Sequence, residues 1–268
     1  MHTYSQKGIC VLFSAVRENY MTLKEFFTEH PKVAIAFSGG VDSSYLLYAA
    51  KQYAKEVRAY FVKAEFQPEF ELEDAEKLAE GIGADLKIMR LSVLGDDEVC
   101  ANPSNRCYYC KRVIFSQIVK AAGEDGFTTL LDGTNASDDA GDRPGMKALK
   151  EMSVLSPLRE CGLTKSQIRS LSKEAGLFTW DKPAYACLAT RIPTGERITA
   201  EKLKATEEAE GFLFSLGFTD FRVRSNDGNA KIQLPEAQWG LLLKNRKLIL
   251  DKFKQYYRSV VLDMEVRG

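Results

Sequence analysis

The sequence predicts an α/β fold: a parallel sheet with helices on both faces, followed by a smaller α+β C-terminal domain. Three observations predict it. Short apolar runs alternate with helix-length amphipathic segments through the first 130 residues. A glycine-serine turn joins the first such run to the first helix. Beyond residue 200 the order changes to helix, hairpin, helix and strand, which is the texture of an α+β unit.

Each element has its own signal. Lys32 to Phe37 is nearly all apolar, as a strand buried on both faces must be. Ser38 to Asp42 is a turn, and Leu46, Leu47 and Ala50 then mark a helix over 43–53. Val57 to Val62 reads as a strand, Glu69 to Gly81 as a helix and Leu86 to Leu91 as a strand. A helix over 111–122 and a strand over 128–131 follow. Strands separated by helices of this length form right-handed βαβ crossovers and a parallel sheet. Thr164 and Gln167 form a capping box for a helix running to about Ala175. Residues 178–198 carry Pro183, Pro193 and Gly195 without periodicity, a loop longer than most and therefore a functional candidate. A helix over 201–216, strands 221–224 and 230–234 around Asp227-Gly228, a helix over 239–257 and a strand over 259–264 complete the chain. These boundaries divide it into 1–180, an active-site loop 181–198, and 199–268.

Composition excludes several functions. Lys plus Arg and Asp plus Glu both total 37, so bulk electrostatic binding to nucleic acid or a membrane is not expected. The only histidines are His2 and His30, which rules out a Ser-His-Asp triad or a multi-histidine metal centre. No apolar run is long enough to span a bilayer, and no signal peptide is evident. A cytoplasmic protein is expected, with its six cysteines as thiols or metal ligands rather than a disulfide framework.

The chemistry concentrates at Ser38-Gly39-Gly40-Val41-Asp42-Ser43-Ser44. Glycines there let backbone N–H groups approach an anion, and the helix N-terminus that follows favours negative charge. The three serine hydroxyls add donors, and Asp42 is placed to hold magnesium or orient the loop. The turn lacks the Gly-Lys-Ser/Thr of a Walker A loop.

This segment resembles the signature of the ATP-pyrophosphatase (PP-loop) superfamily, with its adenine nucleotide alpha hydrolase-like fold. The resemblance implies cleavage of ATP to an adenylated substrate and pyrophosphate, with Mg2+. It implies ATP and pyrophosphate contacts from residues 38–44 and Gly133, with Asp42 catalytic. Asp132 to Ala136, Asp142 to Gly145, Pro183 to Pro193 (which contains Cys187-Leu-Ala-Thr-Arg-Ile-Pro193), and Phe221 to Arg224 resemble the LarE family. That family inserts sulfur into a pyridinium mononucleotide precursor of the nickel-pincer cofactor, and its members look oligomeric, so a homo-oligomer is expected.

Cys107-Tyr-Tyr-Cys110 opens a helix, so both thiols lie on one face. Such a pair is open to three readings: a redox couple, half a zinc site that Cys100 would help complete, or two structural thiols. The family resemblance adds Cys187 and two routes. In one, Cys107, Cys110 and Cys187 hold a 4Fe–4S cluster that carries sulfide; in the other, Cys187 surrenders its own sulfur. Three cysteines favour the cluster, with sulfide or another sulfur donor as co-substrate. Cys10, Cys100 and Cys161 are read as bystanders. Lys182 and Arg191, near Cys187 in sequence, are candidates for raising its thiolate fraction.

Arg222 and Arg224 alternate along a strand and so share a face, which suits a substrate phosphate. Arg143 and Arg191 are further candidate nucleotide contacts. Where relatives carry Ala-Arg-Ile-Glu after the hairpin turn, this chain has Ala230-Lys-Ile-Gln233, and the lost carboxylate weakens any cation site there. The rival enzyme is a PP-loop tRNA thiolase, to which Lys244, Arg246, Lys247, Lys252, Lys254 and Arg258 would offer a basic face; the balanced charge disfavours it.

Overall fold

A computed structural model describes residues 20–138 and 144–265. Among them the first unit is a four-stranded parallel sheet in the order β3-β2-β1-β4. Its strands are β1 (Lys32–Ala36), β2 (Glu56–Lys63), β3 (Asp85–Arg90) and β4 (Leu130–Leu131). The expected α/β architecture is present.

Alternation in β1 explains its burial on both faces. Val33 and Ile35 join one core with Leu46 and Leu47 of α2 (Val41–Tyr53), Leu72 of α3 (Glu69–Gly81) and Phe26 and Phe27 of α1 (Leu23–Glu29). Ala34 joins the opposite core with Phe115 and Ile118 of α5 (Arg106–Glu124). Helices therefore cover both faces, as unbroken apolar strands require.

Several helices escaped the sequence reading because they are short. They are α1, with a capping box at Thr22 and Glu25, α4 (Asp97–Cys100), α6 (Pro144–Glu151) and α7 (Pro157–Glu160). The helix predicted over 111–122 begins earlier, at Arg106, so Cys107 and Cys110 lie in its first turns. α8 (Lys165–Glu174) carries the predicted capping box at Thr164. The long loop is less irregular than expected. It holds one-turn 3-10 helices at Phe178–Asp181 and Leu188–Arg191.

A third core gathers residues from α9 (Ala200–Ser215), β5 (Arg222–Asn226), β6 (Asn229–Gln233), α10 (Trp239–Phe253) and β7 (Val260–Leu262). β5 and β6 form the predicted hairpin, with positive φ at Asp227 and Gly228, and β7 pairs parallel to β6. α10 ends four residues before the predicted Tyr257. Leu203, in the first turn of α9, belongs to the second core, so this helix leaves one core and enters the next. Among the described residues no helix is long and apolar enough to cross a membrane.

Candidate functional site

The phosphate-type loop lies where β1 gives way to α2, at the carboxyl edge of the sheet, where ligands of open α/β folds bind. Gly39 has φ +70°, and a Cβ on it would stand 3.2 Å from the Glu71 carbonyl oxygen of α3. Ser38 and Ser43 hydroxyls lie 3.0 Å apart, and Ser43 also donates to the Gly40 carbonyl, which fixes the turn from within. A Cβ on Gly133 would come within 2.9 Å of the Ser43 nitrogen, so only glycine lets the β4 turn rest on the start of α2. Asp132 beside it is buried, accepting from the Thr134 and Ser156 hydroxyls at 2.5 and 2.6 Å.

A cleft of about 480 Å³ opens from this loop, the scale of a small-molecule site. Ser38, Gly40, Val41 and Asp42 line one end, and Cys107, Cys110 and Cys187 also line it. Gly39, Ser43, Ser44 and Gly133 shape the loop from behind rather than lining the cleft. Ser44 is fully buried, and its hydroxyl has no partner.

Asp42 accepts from Lys165 Nζ at 2.5 Å through Oδ2, while its buried Oδ1 has no hydrogen-bond partner. Burial pushes its carboxyl above the usual range, and the Lys165 hydrogen bond and charge oppose that. An orphaned carboxylate oxygen beside a phosphate-type loop fits a cation ligand. Among the described residues no group of three His, Cys, Asp or Glu is arranged around a metal. Asp42 would therefore share Mg2+ with ligand phosphates, as magnesium sites commonly do.

The sulfur end is organised by Arg106, which directly precedes the CxxC pair. Its Nη1 donates to Asn102 Oδ1 at 2.7 Å and to the Ala189 carbonyl at 3.0 Å. Its Nη2 lies 4.0 Å from Cys107 Sγ and 3.9 Å from Cys187 Sγ. Asn102 is held in turn at φ +53° by the carbonyls of Ile192, Pro193 and Glu196. The three thiols thus share one chamber with a cation between two of them. Their chemistry suits a three-thiolate ligand set, although they are not drawn together as one.

Of the two cations expected at Cys187, the charge of Arg191 does favour its thiolate, while Lys182 is engaged at the phosphate-type loop. Lys182 Nζ is 2.6 Å from Asp74 Oδ2 and 3.2 Å from the Gly39 carbonyl, at the phosphate-type loop. Arg191 is 1% exposed and forks onto Glu210 at 2.8 and 3.0 Å, with Nη1 on the Ala186 carbonyl and the Thr190 hydroxyl. Each of its donor nitrogens has a partner within the protein. Burial pushes the Cys187 thiol up despite Arg106, and takes that of Cys110 to about 12.

Arg222 and Arg224 do share a face, and both reach the loop that carries Cys187. Arg222, buried, donates to the Ala184 carbonyl at 2.8 Å, and Arg224 donates to that of Thr190 at 2.9 Å. Neither lines the cleft in this state. Arg143 lies outside the described residues.

The cleft also contains residues that the sequence reading missed: Glu71, Arg106, Lys111 and Lys165. The Glu71 carboxyl is pushed up to about 7, chiefly by burial, against the opposing charge of Lys182. Burial lowers the Lys111 ammonium, and Asp132 raises it. Only Arg106 had a usable signal, its adjacency to the CxxC pair.

Comparison with known proteins agrees with this geometry. A family model described as asparagine synthase matches residues 24–110, the segment from α1 to the CxxC pair. An uncharacterized protein of Synechocystis is 37% identical over 91% of this chain and 92% of its own length. A tRNA-specific 2-thiouridylase of Pseudothermotoga lettingae is 27% identical over 62% of this chain and 58% of its own. The pyridinium-3,5-bisthiocarboxylic acid mononucleotide synthase of Lactiplantibacillus plantarum is 33% identical over 91% of this chain and 89% of its own. With a nucleotide-type loop in place and that identity sustained along nearly its whole length, the chain belongs to the LarE family of the PP-loop superfamily.

Proposed function

We propose that this protein is an ATP-dependent sulfurtransferase acting on pyridinium-3,5-biscarboxylic acid mononucleotide. One observation carries the reading: a single cleft runs from the PP-loop to Cys107, Cys110 and Cys187. A reaction that first adenylates a carboxylate and then delivers sulfur to it needs both groups around one substrate.

A carboxylate is a poor electrophile until it has a leaving group. Its oxygen attacks the α-phosphate of ATP, the bond to the β-phosphate breaks, and pyrophosphate leaves. Backbone N–H groups of the loop and the N-terminus of α2 stabilise the charge that develops there, together with Mg2+ on Asp42. Sulfur then attacks the acyl carbon, AMP leaves, and a thiocarboxylate remains. A 4Fe–4S cluster held by Cys107, Cys110 and Cys187 would supply sulfide as the incoming sulfur. Arg106 offsets negative charge on the sulfurs from Asn102 and Ala189, which fix it in place. The second route uses Cys187 alone: its sulfur forms a thioester with the acyl carbon, then the Cβ–Sγ bond breaks with loss of the Cα proton, leaving dehydroalanine. Arg222 and Arg224 would bind the substrate phosphate after leaving the loop carbonyls. The reading also takes residues 1–180 as the nucleotide unit and 199–268 as the substrate unit.

The test is pyrophosphate release that depends on the mononucleotide, with a product heavier by the difference between sulfur and oxygen. No substrate-dependent pyrophosphate would sink the proposal. Iron and acid-labile sulfide after anaerobic purification, lost in Cys107→Ala, support the cluster route. Their absence, with dehydroalanine at position 187 after turnover, supports the sacrificial one.

A further inference from the structure

We propose that Asn102 is a positioning residue for sulfur transfer: it fastens the loop of Cys187 to the first turn of α5, and so sets Cys187 beside Cys107 and Cys110. What the three thiols do rests on the functional reading above; how they are placed rests on the geometry alone.

Asn102 lies between α4 and α5, is 1% exposed and stands outside the lining of the cleft. All its polar groups are used. Its N–H donates to the Val99 carbonyl at 3.2 Å, and its carbonyl accepts from the Gly195 N–H at 2.8 Å. Oδ1 accepts from Arg106 at 2.7 Å, while Nδ2 meets the carbonyls of Ile192, Pro193 and Glu196 at 3.3, 2.8 and 3.2 Å. The backbone stands at φ +53°, a region that asparagine tolerates better than most side chains. Two residues earlier, the Cys100 carbonyl accepts from the Ile198 N–H at 2.8 Å. The far half of the Cys187 loop is thus laid along residues 100–102.

The near half is held through Arg106. Its Nη1 is shared between Asn102 Oδ1 and the Ala189 carbonyl at 3.0 Å, which among the described residues is the hydrogen bond that α5 makes to the backbone of this loop. Its Nη2 then falls 3.9 Å from Cys187 Sγ and 4.0 Å from Cys107 Sγ. Other anchors tie the loop to different elements. The Leu188 N–H donates to Phe66, just beyond β2, and the Thr190 carbonyl accepts from Arg224 of β5. Neither reaches α5. Without the Asn102 side chain, three loop carbonyls lose their donor and Arg106 loses the acceptor that aims it. The loop keeps its hold on Phe66 and β5 and loses its registration against the Cys107–Cys110 turn.

The experiment uses dibromobimane, a short reagent that fluoresces once two thiols have displaced both of its bromides. Full-length protein is reduced, kept with a chelator so that the thiols are free, and treated with the reagent; peptide mapping identifies the joined pairs. In the wild type Cys187 is joined to Cys107 or Cys110, and Cys107 is also joined to Cys110. Asn102→Gly keeps the positive φ and removes only the side chain. Bridges to Cys187 should then fall at least about fivefold, because bridging needs both sulfurs in place at once. The Cys107–Cys110 bridge stays within about twofold of wild type, because i and i+3 share one helix face whatever the loop does. In the same variant pyrophosphate release stays within about threefold of wild type, while thiocarboxylate formation falls at least about tenfold. If Asn102→Gly does not fold, Asn102→Asp carries the test. It keeps the acceptor for Arg106 but turns a carboxylate on the three loop carbonyls, and the same selective loss is expected.

A folded variant that bridges Cys187 as the wild type does overturns the proposal. So does an equal loss of both kinds of bridge, which marks general loosening, or a wild type in which Cys187 is not bridged at all. Failure of the mononucleotide to elicit pyrophosphate from the wild type defeats the functional reading alone, because bridging needs no substrate.

Discussion

Glu210→Gln should destabilise this protein severely, because Glu210 neutralises Arg191, the most deeply buried cation among the described residues. Glu210 and Arg191 are each 1% exposed and are joined by two charge-assisted bonds of 2.8 and 3.0 Å. The same carboxylate accepts from the Val223 N–H at 2.8 Å and the Tyr185 hydroxyl at 2.5 Å. It therefore ties α9, β5 and the Cys187 loop at one point. Glutamine keeps the shape and an acceptor for Val223 but leaves the guanidinium uncompensated in a dry site. Breaking one partner of such a pair costs about 3–5 kcal/mol. For a chain of this size that lowers the melting temperature by roughly 6–20 °C. Thermal unfolding followed by circular dichroism measures it. Adding Arg191→Met removes the stranded charge, so the double variant should be more stable than Glu210→Gln alone. A single variant melting within about 2 °C of wild type, or a double variant that loses the sum of both singles, would refute the reasoning.

Two further outcomes follow from the cleft. In Gly133→Ala the new Cβ meets the backbone nitrogen of Ser43 at 2.9 Å and must push the PP-loop aside. A loss of about 1–3 kcal/mol in urea unfolding and at least a tenfold fall in pyrophosphate release are expected. The Glu71 carboxyl, raised from 4.5 to about 7, favours the folded state when protonated. Its contribution is present below its unfolded value and is lost as pH rises through about 7. Glu71→Gln should therefore remove a pH-dependent loss on the order of 2–3 kcal/mol, seen by comparing urea midpoints near pH 5 and pH 8.

The sequence determined by itself what depends on local pattern. Lys32 to Phe37, the glycine-serine turn and the amphipathic segments set the strands, the PP-loop and the helices, because period and turn chemistry are properties of neighbouring residues. The short helices α4 and α7 were missed because a single turn leaves too little periodicity to see. Cys107, Cys110 and Cys187 were legible as a set only through family resemblance, since nothing local joins residue 110 to residue 187. Charge partners were the least legible. Lys182 was expected at Cys187 and lies at Gly39; Arg191 was expected at a nucleotide and is buried on Glu210; Arg106, unremarked, lies between two thiols. A long flexible side chain finds its partner through space, so the packing of α9, β5 and the sulfur loop decided which carbonyl or carboxylate each cation would meet.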